Sequence, residues 1–342
     1  MKWPKVTIMI PTRNRVALLE KAVQSALSQD YENLEVIVSD NASTDGTCEA
    51  MKAHASDRRF TYHGNESDLG LARNWQKLLY EHATGKYAAL LNDDDFFIDN
   101  EHLAKSVELL ESRNLDIVFS GSKIIWNEEM EGVGRPTEIV FDLPQVVTRQ
   151  WWLENFGRVL KKHTLFPNLV GSAVFNIEKA RKFNAFYPPC YGLDYELALK
   201  FILAGDSGYF KECHWAERYH LSDAKTSDLE RSFDGLFLFN RVYDFGLSLG
   251  IEKEKLLDFK RRGIGIFFTN FILEKFLKTY GCSMHTLLKI KNRIEGVDRG
   301  VFYRMLFSRV FLSFWLKNKN RRMHSVLRIF FRKSTHKNSV RS

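Results

Sequence analysis

The sequence predicts an α/β fold, a doubly wound and mostly parallel sheet followed by a helical C-terminal region. Three observations carry this. Short apolar, β-branched runs alternate with segments of helical periodicity through the first 120 residues. The connections between them are short and rich in turn and helix-start residues, as in sheets covered by helices on both faces. Beyond Leu229 the pattern is mostly helical and aromatic, with 19 of the chain's 46 aromatic residues in its last 117 positions.

The elements follow in order. Val6–Ile10 is a β-rich apolar run stopped by Pro11, and Val16–Gln29 repeats apolar residues at helical spacing through Leu18, Leu19, Ala22, Val23, Ala26 and Leu27. Leu34–Ser39 is a second strand, followed by the turn residues Asn41 to Gly46. Phe60–His63 is a third strand and Leu71–Ala83 a helix. Tyr87–Leu91 is a fully apolar fourth strand that runs into Asn92-Asp93-Asp94-Asp95. Helix Leu103–Ser112 and strand Ile117–Ser120 continue the alternation, and a helix is expected at Tyr195–Ala204 within a less regular middle section. Open sheets of this kind bind ligands at the carboxyl ends of their strands. That rule directs attention to Pro11–Arg15, Asp40–Asp45 and Asn92–Asp95.

Charge divides the 342 residues in two. The net +8 is the sum of −6 over residues 1–225 (26 Lys+Arg, 32 Asp+Glu) and +14 over residues 226–342 (24 against 10). A uniformly basic nucleic-acid-binding protein is therefore disfavoured, and no nucleic-acid motif is present. The four cysteines have neither zinc nor disulfide-scaffold spacing. No apolar run approaches the roughly 20 residues that cross a bilayer, and the N-terminus lacks a signal-peptide pattern. These features predict a cytoplasmic chain.

Three consecutive carboxylates at a strand end repel one another unless a cation or several donors neutralise them. Asn92–Asp95 thus reads either as a site for a hard divalent ion carrying a diphosphate or as a solvated acidic turn capping the next helix. Around it stand Pro11-Thr12-Arg13-Asn14-Arg15, then Asp40-Asn41-Ala42-Ser43-Thr44-Asp45, then Asn65 to Asn74, each at a strand end or before a helix. In this order and spacing the segments resemble the inverting family 2 glycosyltransferases of bacterial surface-polysaccharide synthesis, over about residues 5–225. The resemblance implies a GT-A fold, a nucleoside-diphosphate sugar donor of UDP or dTDP type, and Mg²⁺ or Mn²⁺. It implies a glycan or lipid-linked glycan as acceptor.

The same resemblance implies roles. Asp40 would accept from the pyrimidine N3–H, with Pro11 and Thr12 cradling base and ribose. Arg73 would approach the nucleotide or its diphosphate. Asp94 would be the metal ligand, with Asn92 and Asp93 near ribose and sugar. Asn92 stands where the family commonly has Asp, and Arg13 where an aromatic residue is usual. Asp194, in Gly192-Leu193-Asp194-Tyr195-Glu196, matches the general base, although locally it also reads as a helix cap. Leu193 replaces a frequent acid, which predicts that Asp194 ionises at least as readily. Arg218 and His220, in an Arg-x-His segment, would serve the diphosphate and the metal. Trp151-Trp152 and Trp215 read as a sugar-stacking surface or as core, and paired tryptophans before a helix favour core.

Residues 226–342 are expected to form a helical, basic, aromatic-rich region that lies on a membrane surface or packs as a helical hairpin on the catalytic domain, with a basic tail after Lys333. Val301–Leu316 and Ser325–Phe331 mix aromatic and aliphatic residues with Arg and Lys, the pattern of a helix lying on an anionic membrane surface. The expected location is the inner face of the cytoplasmic membrane. Two other functions compete. A sugar nucleotidyltransferase would need a Gly-rich phosphate loop after the first strand, which Pro11–Arg15 is not. A non-catalytic nucleotide-sugar-binding or membrane-adaptor protein would not need Asp194.

Overall fold

The computed structural model describes residues 3–126, 137–162, 167, 169–187, 192–219, 235–267, 288 and 290–292. The alternation is realised as β1 (Val6–Thr12), α1 (Val16–Leu27), β2 (Leu34–Asp40), α2 (Thr47–Met51), β3 (Phe60–Gly64), α3 (Leu71–Lys77) and β4 (Tyr87–Leu90). A two-residue strand β5 (Phe96–Phe97), α4 (His102–Arg113) and β6 (Ile117–Trp126) come next, then the short β7 (Thr137–Ile139) and β8 (Val146–Val147). Helix α5 (Arg149–Lys162), β9 (Ala173–Asn176), α6 (Ile177–Lys182), α7 (Leu193–Ala204) and β10 (Ser207–Tyr219) complete the sheet and its layers. Two further helices follow, α8 (Leu238–Ser248) and α9 (Lys253–Phe267).

The strands form one sheet in the order β3-β2-β1-β4-β9-β6-β10-β5, with β7 on β6 and β8 on β10. Strands β1, β2, β3 and β4 are mutually parallel, as are β6 and β10. β9 runs antiparallel to both β4 and β6, so it joins the two parallel blocks head to tail and leaves them pointing the same way. The expected doubly wound α/β fold is therefore present, with antiparallel strands at its centre and margins.

Alternating side chains send the sheet's two faces into two cores. Ile8, Ile10, Val36 and Val38 face α1 and α4, meeting Leu19, Val23, Leu103 and Val107. Met9, Ile37, Phe119 and Phe175 face the other way, toward α3, α5 and α7. Helix α7 is buried almost all round, because α8 covers the side the sheet does not. α9 lies on α5, where Phe156 and Phe259 stack with ring centroids 4.1 Å apart. Phe239 and Phe259 are 1% and 2% exposed. Burying each such ring stabilises by roughly 2–3 kcal/mol, and Leu236 to Phe267 contribute to the core on that face of the sheet. The segments 301–316 and 325–331 lie outside the described residues.

Candidate active site

Loops at the carboxyl ends of β1, β2 and β4 converge on a cleft of about 610 Å³. Their geometry is locked by their own side chains. Asp40 accepts from the backbone N–H and hydroxyl of Ser43 at 3.0 and 2.5 Å, and from the Tyr62 hydroxyl at 2.5 Å. Asp45 accepts from the backbone N–H of Val16 at 3.0 Å and from the Thr47 hydroxyl at 2.5 Å, tying α1 to α2. The Thr47 bond is the main cause of its lowered pKa. Asn14 stands at φ 52° and bonds Ser43 and Thr44 across the gap. Buried Asn74 ties α3 to β2 through Ser39 and receives Asn65 at 2.9 Å. Asp68 binds Arg13, Asn41 and the N–H of Gly70.

The Asp turn follows β4. The Thr12 hydroxyl donates to Asp93 at 2.8 Å. The Arg15 guanidinium reaches Asp93 at 3.2 Å and Asp94 at 2.6 Å. Asp95, 3% exposed, accepts from the Arg218 backbone N–H at 3.1 Å and lies 3.4 Å from the Asn92 amide. Burial pushes the pKa of Asp93 up against the pull of Arg15, and burial with Asp94 and Glu217 nearby pushes that of Asp95 well up. The turn thus concentrates oxygen donors, with a guanidinium supplying the positive charge they need. Among the described residues no three His, Cys, Asp or Glu side chains group to hold a metal alone. The donor set fits a hard divalent ion that takes one or two carboxylates and completes its shell from phosphate and water.

Asp194 opens α7 and lines the same cleft. Gly192, at φ 77°, turns the chain into the helix. Burial raises the Asp194 pKa, outweighing its bonds to backbone N–H groups. The expectation drawn from the missing acid at Leu193 concerns one neighbouring charge; what sets the direction of the shift is desolvation. Glu217 on β10 also lines the cleft. Its pKa is raised by burial and then by the charges of Asp94 and Asp194, which line the same cleft.

Pro11, Thr12, Asn92, Asp93, Asp94, Asp194 and Arg218 therefore meet at one cavity. Asp40 lies just beneath it with both oxygens engaged by Ser43 and Tyr62. Arg73 is exposed on α3 and does not line it. His220 lies outside the described residues. Sequence reasoning missed Arg15, Asp95 and Glu217 as cleft residues. Arg15 lies within a segment already singled out, whereas Glu217 becomes visible only through the pairing of β10 with β6. Trp152 is core as expected, and Trp215, 1% exposed, forms part of the cleft wall.

Residues 7–176 match the family model described as glycosyl transferase family 2. The chain is 25% identical over 236 residues to the UDP-Glc:alpha-D-GlcNAc-diphosphoundecaprenol beta-1,3-glucosyltransferase WfgD of Escherichia coli, covering 68% of this chain and 85% of that protein. Across the first five curated relatives, the chain spans between 16% and 51% of their lengths. Its fold is similar to that of S. aureus TarS 1-349 in complex with UDP-GlcNAc, with a TM-score of 0.66 at 16% identity, over 87% of this chain and 82% of that one. It is also similar to the mannosyltransferase PcManGT from Pyrobaculum calidifontis in complex with GDP-Man and Mn²⁺ (TM-score 0.52, 19% identity, 92% and 87% coverage). The architecture is that of the GT-A glycosyltransferases.

Proposed function

The chain belongs to glycosyl transferase family 2 by its residues 7–176, and from that premise we propose that it transfers a sugar, with inversion, from a nucleoside-diphosphate sugar to a hydroxyl of a glycan or lipid-linked glycan in surface-polysaccharide synthesis. The observation that carries this reading is that Asp94 and Asp194, 100 positions apart in the sequence, line one cleft. A diphosphate leaving group needs the first, and an acceptor hydroxyl needs the second.

In this reading Pro11, Thr12 and the Asp40 loop hold the nucleotide, supported by the contacts that pin those loops. Asp94 would hold Mg²⁺ or Mn²⁺, with Asn92 and Asp93 beside ribose and sugar. The ion, when bound, would neutralise charge on the diphosphate. Arg15 and Arg218 are the cationic side chains at the same turn. His220 would join Asp94 as a metal ligand, and Arg73 would reach the nucleotide from α3. Asp194 takes the acceptor O–H proton as that oxygen attacks the anomeric carbon from the face opposite the diphosphate. The bond from that carbon to the diphosphate oxygen breaks, and the nucleoside diphosphate leaves with the electron pair. A raised pKa suits the role, since a general base works best when its pKa lies near the working pH.

Support for a UDP donor comes from the UDP-Glc named for WfgD and the UDP-GlcNAc bound to TarS. A diphosphoundecaprenol acceptor is named for WfgD, and the +14 charge of residues 226–342 suits an anionic lipid diphosphate. Residues 1–225 would be the catalytic domain. Residues 226–342 would be the C-terminal region, of which 236–267 pack into the core, while the basic segments 301–316 and 325–331 would rest on the inner face of the cytoplasmic membrane. Among the described residues no helix is long and apolar enough to cross a membrane.

Asp194→Asn tests the base. Turnover of UDP-sugar should fall by roughly 10²–10⁴-fold, while calorimetric binding of UDP stays within a factor of two or so. Retained turnover in that variant would remove Asp194 from the mechanism. Adding EDTA should abolish transfer and Mn²⁺ should restore it.

A further inference from the structure

Strand β10 carries Trp215 and Glu217 two residues apart, past its last register shift against β6. Side chains two apart on a strand share a face, and both of these line the catalytic cleft. Trp215 forms a fixed wall. Gly171, at φ 67°, lays its backbone on the indole so closely that an added Cβ would come within 2.2 Å of the ring. The N–H of Gly171 is tied to the Leu90 carbonyl at the end of β4, at 2.6 Å. The Trp215 Nε1 has no hydrogen-bond partner among the described residues. Beside this wall the Glu217 carboxyl group has neither a hydrogen bond nor an ion pair among the described residues.

An unpartnered carboxyl group in a half-buried position is costly. Elsewhere in the cleft the acids are engaged: Asp93 by Thr12 and Arg15, Asp94 by Arg15, Asp95 by the Arg218 N–H. Glu217 stands apart, and it shares the cleft with both Asp94 and Asp194. In the glycosyl-transfer reading, on which this inference rests, the carbon that changes partners must sit between the diphosphate held at Asp94 and the base Asp194. Whatever ligand group occupies that interval is the transferred sugar.

We propose that Glu217 is a specificity-determining residue, accepting hydrogen bonds from hydroxyls of the transferred sugar against the wall made by Trp215. A carboxylate accepts through two oxygens and suits a pair of neighbouring hydroxyls. The group recognised is the hexosyl moiety; the nucleotide is held elsewhere.

The test separates sugar from nucleotide. UDP, UDP-glucose and UDP-N-acetylglucosamine are titrated calorimetrically, with MnCl₂ present, into the full chain and into Glu217→Gln and Glu217→Ala. Glu217→Gln keeps the shape and removes the charge; its melting curve shows that the fold is intact. At least one UDP-sugar should bind the Gln variant about 10-fold more weakly, equivalent to about 1.4 kcal/mol, and the Ala variant more weakly still. UDP affinity should not weaken in either. The ratio of affinities between the two UDP-sugars should also shift. If the variants bind UDP and UDP-sugars with equal losses, or with none, the assignment of Glu217 is overturned while the glycosyltransferase reading stands. If the unaltered chain binds none of the three, the donor reading fails and takes this assignment with it.

Discussion

Asp45 and Asp94 are both aspartates in loops at the rim of one sheet, yet their surroundings give them opposite tasks. Asp45 spends both oxygens on Val16 and Thr47 and acts as a rivet between helices. Asp94 faces the cleft with an arginine as partner. Arg15 is therefore expected to matter through charge. Arg15→Met should lower the thermal stability measured at pH 8, where Asp94 loses its counter-charge, and added Mn²⁺ should recover part of the loss. Gly171 makes a second prediction at this scale. Alanine there meets the Trp215 ring at 2.2 Å and a positive φ together, so Gly171→Ala should cost about 3 kcal/mol or more in urea unfolding. Gly205 ends α7 in extended backbone, with nothing within 4 Å of the point where a Cβ would stand, and alanine there should fall within about 0.5 kcal/mol of the parent.

Among the elements, α7 carries the greatest burden, since it presents Asp194 and is enclosed by the sheet and α8. Its Glu196, 2% exposed, receives Arg241 of α8 at 2.6 and 2.8 Å, and lies 2.8 Å from Lys200 one turn along. Removing one member of a buried ionic cluster leaves the rest uncompensated. Arg241→Ala should therefore destabilise by about 2 kcal/mol, allowing for the partial exposure of the arginine, and should lower turnover more than UDP affinity. Equal effects on both would mean that α8 does not steady Asp194. Elements of this first half were legible because their periods are clean and their turns carry Asn, Asp, Ser and Gly. Strand β10 was not legible: Lys211-Glu212-Cys213-His214 interrupts its apolar pattern where the register shifts. Glu217 went unnoticed for the same reason, since its neighbours are set by pairing with β6 rather than by adjacent sequence. Asp194 was legible as a helix-opening carboxylate, but its raised pKa was not, because desolvation depends on what packs around it.

For the molecule as a whole, the cleft trades stability for chemistry. Asp93, Asp95, Asp194 and Glu217 all have pKa values raised chiefly by burial. A carboxyl group whose pKa is raised on folding binds more protons in the native state than in the unfolded one. Stability is then highest below the ordinary carboxylate range and falls as pH rises toward the shifted value. Asp194→Asn removes one such penalty. The variant should melt above the parent at pH 8, with the difference shrinking toward pH 4, even though its turnover is lost. A melting difference that grows toward acid would contradict the burial assigned to Asp194.

Strand β9 is four residues long, yet among the described strands it alone joins the block β3-β2-β1-β4 to the pair β6 and β10. Its partners are far away in the chain, Tyr87–Ala89 on one side and Ile117–Phe119 on the other. During synthesis, a chain that has reached only Ser172 carries β4 and β6 with their facing edges bare. Bare edges invite pairing with other chains, and such non-local closure is slow. The link between β4 and β6 thus waits on Asn176, the residue at which the family match also ends. The shortest piece of this protein able to join its first four strands to β6 is fixed by when that small strand emerges, long before the basic C-terminal residues have been made.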